Sequence, residues 1–194
     1  MELREDYTYQ HRDTVPVDSD IMYPKWIQPL KCFKLFPEAH LPVLGSEWSA
    51  CFDLKASLYG SDHVKLFNDR NESHVRPVIG NYVNLYAGDR MLVPTGLIFD
   101  LHPNESMRIH PRSGLSLKSG INIANCEGIV DADYVEQTYV MLQNISNVPF
   151  EIEDGMRIAQ AELFDIFEIL EIKEISRRPK QKTSRTGGFG STGL

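Results

Sequence analysis

A chain of 194 residues with 42% hydrophobic and 24% charged residues has the composition of one globular domain with appendages, and carries enough apolar material to fold without disulfides or structural metal. Its net charge of -7 argues against stable binding to a nucleic-acid backbone, and no apolar run approaches the ~18 residues of a membrane span. Three widely spaced cysteines (Cys32, Cys51, Cys126) with no CxxC pair, and an opening MELREDYTYQHRD without the layout of a secretory leader, predict a reducing, cytoplasmic setting.

In chain order, residues 1–29 are polar and acidic with Pro16, Pro24 and Pro29 and no sustained period, and read as an extension. Residues 30–175 form the expected domain. Strands are predicted at Lys31–Phe36, Arg90–Val93, Thr95–Leu101, Ser106–His110, Thr138–Leu142, Val148–Ile152 and Arg157–Leu163, separated by turn-forming clusters such as Ala87–Asp89 and Glu153–Gly155. Many short strands at this spacing imply an all-β sandwich, barrel or jelly roll. Ser113–Ser119 fits one or two helical turns, and Phe167–Ile175 fits a helix nearly as well as a strand. Residues 176–194 form a basic, glycine-rich arm with Arg177, Arg178, Lys180, Lys182 and Arg185 and no acid.

Five stretches put polar or glycine residues where a plain core strand would not. In Ser49–Ala56, Asp53 sits among apolar neighbours, where an unpaired carboxylate is expensive to bury; an ordinary partnered acid is the plainer reading. In His110–Ile121, Pro111 suits a first helical position, while Arg112, Ser113 and Gly114 offer a guanidinium, a hydroxyl and open backbone N–H groups, either a phosphate site or a capped turn. In Asn125–Tyr134, the Asp131, Asp133 and Tyr134 cluster suits holding a water and a sugar, or is a solvated hairpin. In Gly155–Gln160, Arg157 and Gln160 are three apart, so on a regular strand they face opposite sides. In Arg185–Leu194, a single Phe among glycines suits a flap over a base and phosphates; a flexible tail is the default.

Taken together and in this order, PRSGL, GIVDADY, RIAQ and GGFGSTG, preceded by the Asp53 stretch, resemble the five motifs of the trimeric dUTPases (dUTP nucleotidohydrolases), from about Leu30 to Leu194. The resemblance implies a jelly-roll or distorted β-barrel fold with at most one short helix. It implies a homotrimer hydrolysing dUTP to dUMP and pyrophosphate with Mg²⁺, its active sites shared between subunits. Asp131 matches the residue that orients the attacking water. Arg112, Ser113, Gly114 and Gln160 match phosphate contacts. Asn125 matches the reader of the uracil edge, with Ile129, Val130 and Tyr139 lining the same hairpin through backbone groups. Tyr134 matches the ring packed beneath the deoxyribose. Phe189 matches the residue stacked on the base, with Arg185, Gly190, Ser191 and Thr192 near the terminal phosphate. Asp53 and Arg157 take supporting roles, and no protein group is expected to bind Mg²⁺ directly, since the triphosphate supplies most of its ligands.

The chain departs from the family pattern at Cys51, at Val135-Glu136 in place of a residue pair ending in Gly, and in the spacing of Arg185 from Phe189. The connection from about residue 58 to 87 is longer than usual, with Asn68–Ser73 as an exposed excursion. That insertion and residues 1–29 are candidate surfaces for a protein partner, which gives one rival reading, an added regulatory role. The other is the sister family of dCTP deaminases, kept open by Glu136.

Overall fold

The computed structural model describes residues 29–166 and 172–180. Two units make up the chain, Met1–Leu30 and Lys31–Leu194. Within the second, one five-stranded sheet has the order β10 (Ile121–Ile123), β12 (Tyr139–Asn144), β7 (Arg90–Pro94), β4 (His63–Phe67), β5 (Ser73–Pro77). The other runs β11 (Gly128–Asp131), β9 (Glu105–His110), β14 (Arg157–Asp165), β3 (Phe52–Lys55), β2 (Val43–Leu44). Two shorter ladders join β1 (Lys31–Lys34) to β8 (Leu97–Asp100) and β13 (Phe150–Glu153) to β6 (Tyr82–Leu85). Every ladder is antiparallel. This is the all-β architecture that the strand spacing predicts, in the jelly-roll-like form that the resemblance implies, with one short helix among the described residues.

The strands follow from alternation. In β4, Val64 and Leu66 are buried while His63, Lys65 and Phe67 are exposed, the period of a sheet with one wet face. Met91 and Val93, Val140 and Leu142, Met107 and Ile109, and Leu54 supply the apolar interior from the two large sheets. Ser57, Thr95 and Asn144 are also fully buried; the Asn144 amide donates to the Leu85 and Val148 carbonyls, tying β12 to the β6 and β13 ladder. No helix of the described residues is long and apolar enough to cross a membrane.

Three expectations are corrected. The connection from about residue 58 to 87 is not a plain loop: β4 and β5 form a hairpin on the edge of β7, because Val64 and Leu66 complete the core, and Asn68–Ser73 is its largely exposed turn, as expected. The turn and most of β5 are exposed, with Asn68 Oδ1 accepting from the Arg70 and Glu72 N–H groups and Asn71 at φ 64°. Second, Pro111 is not the first helical residue. Beyond the end of β9 the chain is still extended at Arg112 (φ -89°, ψ 127°), so α1 covers Ser113–Ser119 and ends on the left-handed Gly120. Third, Arg157 and Gln160 do not face opposite sides. The β14–β3 register shifts between Arg157 and Ala159, and this bulge adds the residue that returns both side chains to one face. Of the segment Phe167–Ile175, residues 167–171 lie outside the described residues and 172–175 are neither helix nor strand.

Candidate active site

The cleft at one end of the β9–β14–β3 ladder is built on Asp53. β3 carries it between Phe52 and Leu54, so its carboxylate is only 8% exposed, and such a charge requires partners. It has two. Arg112 Nε approaches Asp53 Oδ1 at 2.8 Å, and Arg157 Nη1 donates to Oδ2 at 3.1 Å. Arg112 Nη1 also donates to the Arg157 carbonyl at 3.2 Å, and Gln160 Nε2 to the Pro111 carbonyl at 3.1 Å. One acid thus fixes two arginines, one at the start of α1 and one on β14. Gly45, Ser49, Cys51, Ser113, Gly114 and Gln160 complete the walls around a space of about 370 Å³.

This arrangement suits a polyanion. Two guanidinium groups present forked donors, and Asp53 offsets part of their mutual repulsion before any ligand arrives. At the start of α1 no side chain caps the helix, and the first intrahelical bond runs from the Ser116 N–H to the Arg112 carbonyl. The N–H groups of Ser113 and Gly114 therefore have no helical partner. A Cβ on Gly114 would meet nothing within 4 Å, so neither packing nor backbone conformation requires glycine there. Cys51 faces the same cleft; burial, then Glu162 and Asp53, push its thiol above the ordinary range.

Asp131 is elsewhere. It ends β11 opposite Ser106, whereas Gln160 lies opposite His110 at the other end of β9. Four residues of strand, at about 3.3 Å each, put roughly 13 Å between those positions. Asp131 and Asp133 line a separate cleft with Pro103, Glu105 and Ile166. Next to them, the Tyr134 N–H donates to the Asp131 carbonyl at 3.1 Å and the Tyr134 hydroxyl to the Gln137 carbonyl at 2.9 Å, which fixes the ring against the turn. Asn125 is exposed in the turn between β10 and β11, where Cys126 takes φ 66°. Ile129 and Tyr139 are exposed at 54% and 46%, while the Val130 side chain is in the core and leaves only its backbone available.

A single chain therefore unites Asp53, Arg112, Ser113, Gly114, Arg157 and Gln160 in one cleft, whose walls include none of Asn125, Asp131, Tyr134 and Tyr139. Arg185, Phe189, Gly190, Ser191 and Thr192 lie outside the described residues. Gly45, just upstream of the Ser49–Ala56 stretch, carries no signal in the sequence; the turn that brings it to the cleft is held by the Ser46 N–H donating to the Ser49 hydroxyl at 2.8 Å. Sequence reasoning also passed over a network on the outer face of β9 and β14. His110 lies 3.2 Å from Glu162 and 3.7 Å from Glu127, Arg108 lies 2.8 Å from Glu127, and the Arg108 guanidinium stacks on Phe164. Its signal was the alternation of polar residues along two adjacent strands, visible only once their pairing is known.

The family model named dUTPase matches residues 79–193. A deoxyuridine 5'-triphosphate nucleotidohydrolase of Bartonella bacilliformis is 37% identical over 181 residues, covering 88% of this chain and 90% of that protein. One from Brucella melitensis is 44% identical over 113 residues, covering 56% of this chain and 68% of that protein. Among solved structures, a variant dUTPase of Staphylococcus bacteriophage 80alpha with dUpNHpp aligns with a TM-score of 0.67 at 18% identity, over 87% of this chain and all of that one. The dUTPase of Streptococcus mutans aligns at 0.56 and 19% identity, over 74% of this chain and all of that one.

Proposed function

The chain belongs to the dUTPase family, and we propose that it hydrolyses dUTP to dUMP and pyrophosphate at a site assembled from more than one copy of itself. The observation that carries this reading is the cleft in which Asp53 holds Arg112 and Arg157 beside the open N–H groups of Ser113 and Gly114. The triphosphate lies there, with Gln160 as a further donor and the Gly114 backbone close enough to the phosphates that a methyl group would intrude.

Asp131 orients the water that attacks the α-phosphorus. A carboxylate is acceptor-only, so it fixes the direction of the water's lone pair and receives its proton as the phosphorus–oxygen bond forms and the pyrophosphate leaves. Phosphoryl transfer asks mainly for positioning and charge neutralisation, which two arginines and a fixed water supply. Asp131 is some 13 Å along the sheet from the phosphate cleft, which supports the arrangement implied by the family resemblance, a homotrimer in which a neighbouring copy brings Asp131 to that cleft. The exposed Ile129, Phe164 and Ile166 on the intervening face are the apolar part of that contact.

On the same neighbouring chain, the Asn125 amide reads the uracil edge together with backbone groups of Ile129, Val130 and Tyr139. Tyr134 closes the space a 2′-hydroxyl would need. Phe189 stacks on the base, and Arg185, Gly190, Ser191 and Thr192 close over the terminal phosphate. The product serves thymidylate synthesis, and removal of dUTP limits uracil in DNA.

No group of three or more His, Cys, Asp or Glu side chains suited to a metal occurs among the described residues, and both Asp53 oxygens are taken by arginines. Magnesium would be held mainly by the triphosphate, where it would neutralise part of the phosphate charge.

The test is nucleotide-resolved turnover with Mg²⁺ on dUTP, dCTP, dTTP and UTP. Pyrophosphate from dUTP alone is expected. Ammonia from dCTP with no pyrophosphate from dUTP would refute the assignment in favour of a deaminase.

A further inference from the structure

The hairpin β4–β5 precedes residue 79, where the family match begins, and hydrolysis as proposed gives its outer surface no task. That surface is shaped. Lys65 pairs across the ladder with Val75, and Leu92 with Met141, while Phe67 lies opposite Arg90. Two clefts meet on this face and share Lys65 and Leu92. One reaches Tyr139, His63 and Val75; the other reaches Phe67, Arg90 and Met141. Together they make a groove along β4, with an aromatic ring exposed at each end, Tyr139 at 46% and Phe67 at 37%. The Leu92 and Met141 side chains, half-buried, form its floor. Lys65 stands exposed at the centre, and the Arg90 guanidinium lies 5.9 Å over the Phe67 ring and donates to Asn71.

We propose that this groove docks an extended segment of a partner protein that carries an acidic residue between two apolar ones. The apolar floor and terminal rings are the kind of anchor pockets that dominate peptide interfaces, and Lys65 and Arg90 supply a local positive charge on a chain of net charge -7. That overall charge, and the small number of cations, disfavour a phosphate backbone. From His63 to Phe67 the groove spans four strand residues, roughly 13 Å at about 3.3 Å each. In an extended peptide, side chains two apart share a side. Apolar residues at positions one and five then reach the two aromatic ends, and a carboxylate at position three faces Lys65.

The probe is a fluorescein-labelled peptide Ser-Phe-Ser-Asp-Ser-Phe-Ser, with a second peptide carrying lysine in place of the aspartate. Binding is followed by anisotropy and by amide shifts of the full chain. Saturable binding of the first peptide is expected, with shifts confined to β4, β5, β7 and β12. Lys65→Glu should weaken it about tenfold, a change of ~1.4 kcal/mol, and should strengthen the lysine peptide, with dUTP turnover unchanged. The proposal is overturned by no saturable binding at about 1 mM, by binding indifferent to Lys65→Glu, or by a hexathymidylate oligonucleotide displacing the peptide. It is overturned equally if the same amides shift with protein concentration alone, which would make the occupant a second copy.

Discussion

Replacing Asp53 by Asn removes the charge that fixes both arginines while keeping the side chain's size. Two charge-assisted hydrogen bonds are lost, at 2.8 Å to Arg112 and 3.1 Å to Arg157. Each such bond contributes about 1.5–3 kcal/mol when well shielded. Arg157 is 52% exposed, so its share is discounted for solvent screening, whereas Arg112 is 25% exposed and retains most of its share. The expected loss of stability is about 2 kcal/mol, or roughly 4–8 °C in Tm for a chain of this size. The effect on turnover should be larger. With its anchor gone Arg112 leaves the cleft in most molecules, and kcat/KM should fall on the order of a hundredfold, about 2.7 kcal/mol. Thermal denaturation with and without a non-hydrolysable dUTP analogue, alongside pyrophosphate release, measures both. Saturating analogue should recover part of the lost Tm, because the triphosphate replaces the missing negative charge. A variant with unchanged Tm and full turnover would refute the reasoning that Asp53 positions the arginines.

Asp131→Asn should abolish turnover while leaving nucleotide affinity within about tenfold, ~1.4 kcal/mol; calorimetry beside a turnover assay checks the split, and near-normal turnover would remove Asp131 from its role. Gly114→Ala should leave stability unchanged or slightly raised, since a helix favours Ala over Gly by up to about 1 kcal/mol, yet should raise KM for dUTP at least about tenfold. An unchanged KM would mean that the phosphates do not approach this backbone. The Cys51 thiol, pushed up by burial and by Glu162 and Asp53, should stay protonated at neutral pH and alkylate slowly. Iodoacetamide labelling resolved by peptide mass against pH should show Cys51 reacting only well into the alkaline range, and rapid reaction at pH 7 would contradict its placement.

The strands β7, β9, β12 and β14 were legible because alternation survives in short segments: each buries every second residue over at least part of its length. The phosphate cleft was legible as separate fragments, since Arg112, Ser113 and Gly114 are contiguous and Asp53 is conspicuous among apolar neighbours. What joined them was not. The bulge that turns Arg157 and Gln160 to one face depends on how β14 registers against β3, and local spacing points the opposite way. The hairpin β4–β5 read as a loop because its polar turn, Asn68–Ser73, is conspicuous, while Val64 and Leu66 are two residues whose burial depends on β7 beside them. The separation of Asp131 from the phosphate cleft follows from pairing at opposite ends of β9, a distance that motif order along the chain does not encode.

That separation makes the most direct measurement a mixing experiment. Asp131→Asn and Arg112→Ala chains are each expected to be inactive. In trimers assembled from equal amounts of the two, a shared site is intact whenever the copy supplying Arg112 carries only the Asp131 change and its neighbour only the Arg112 change. By random assembly about a quarter of the sites meet that condition. Turnover of the mixture should therefore rise to about a quarter of the unmodified protein's, with native mass spectrometry showing mixed trimers. If mixed trimers form and turnover stays at the level of the parents, Asp131 and Arg112 act within one chain, and a site shared between copies is wrong.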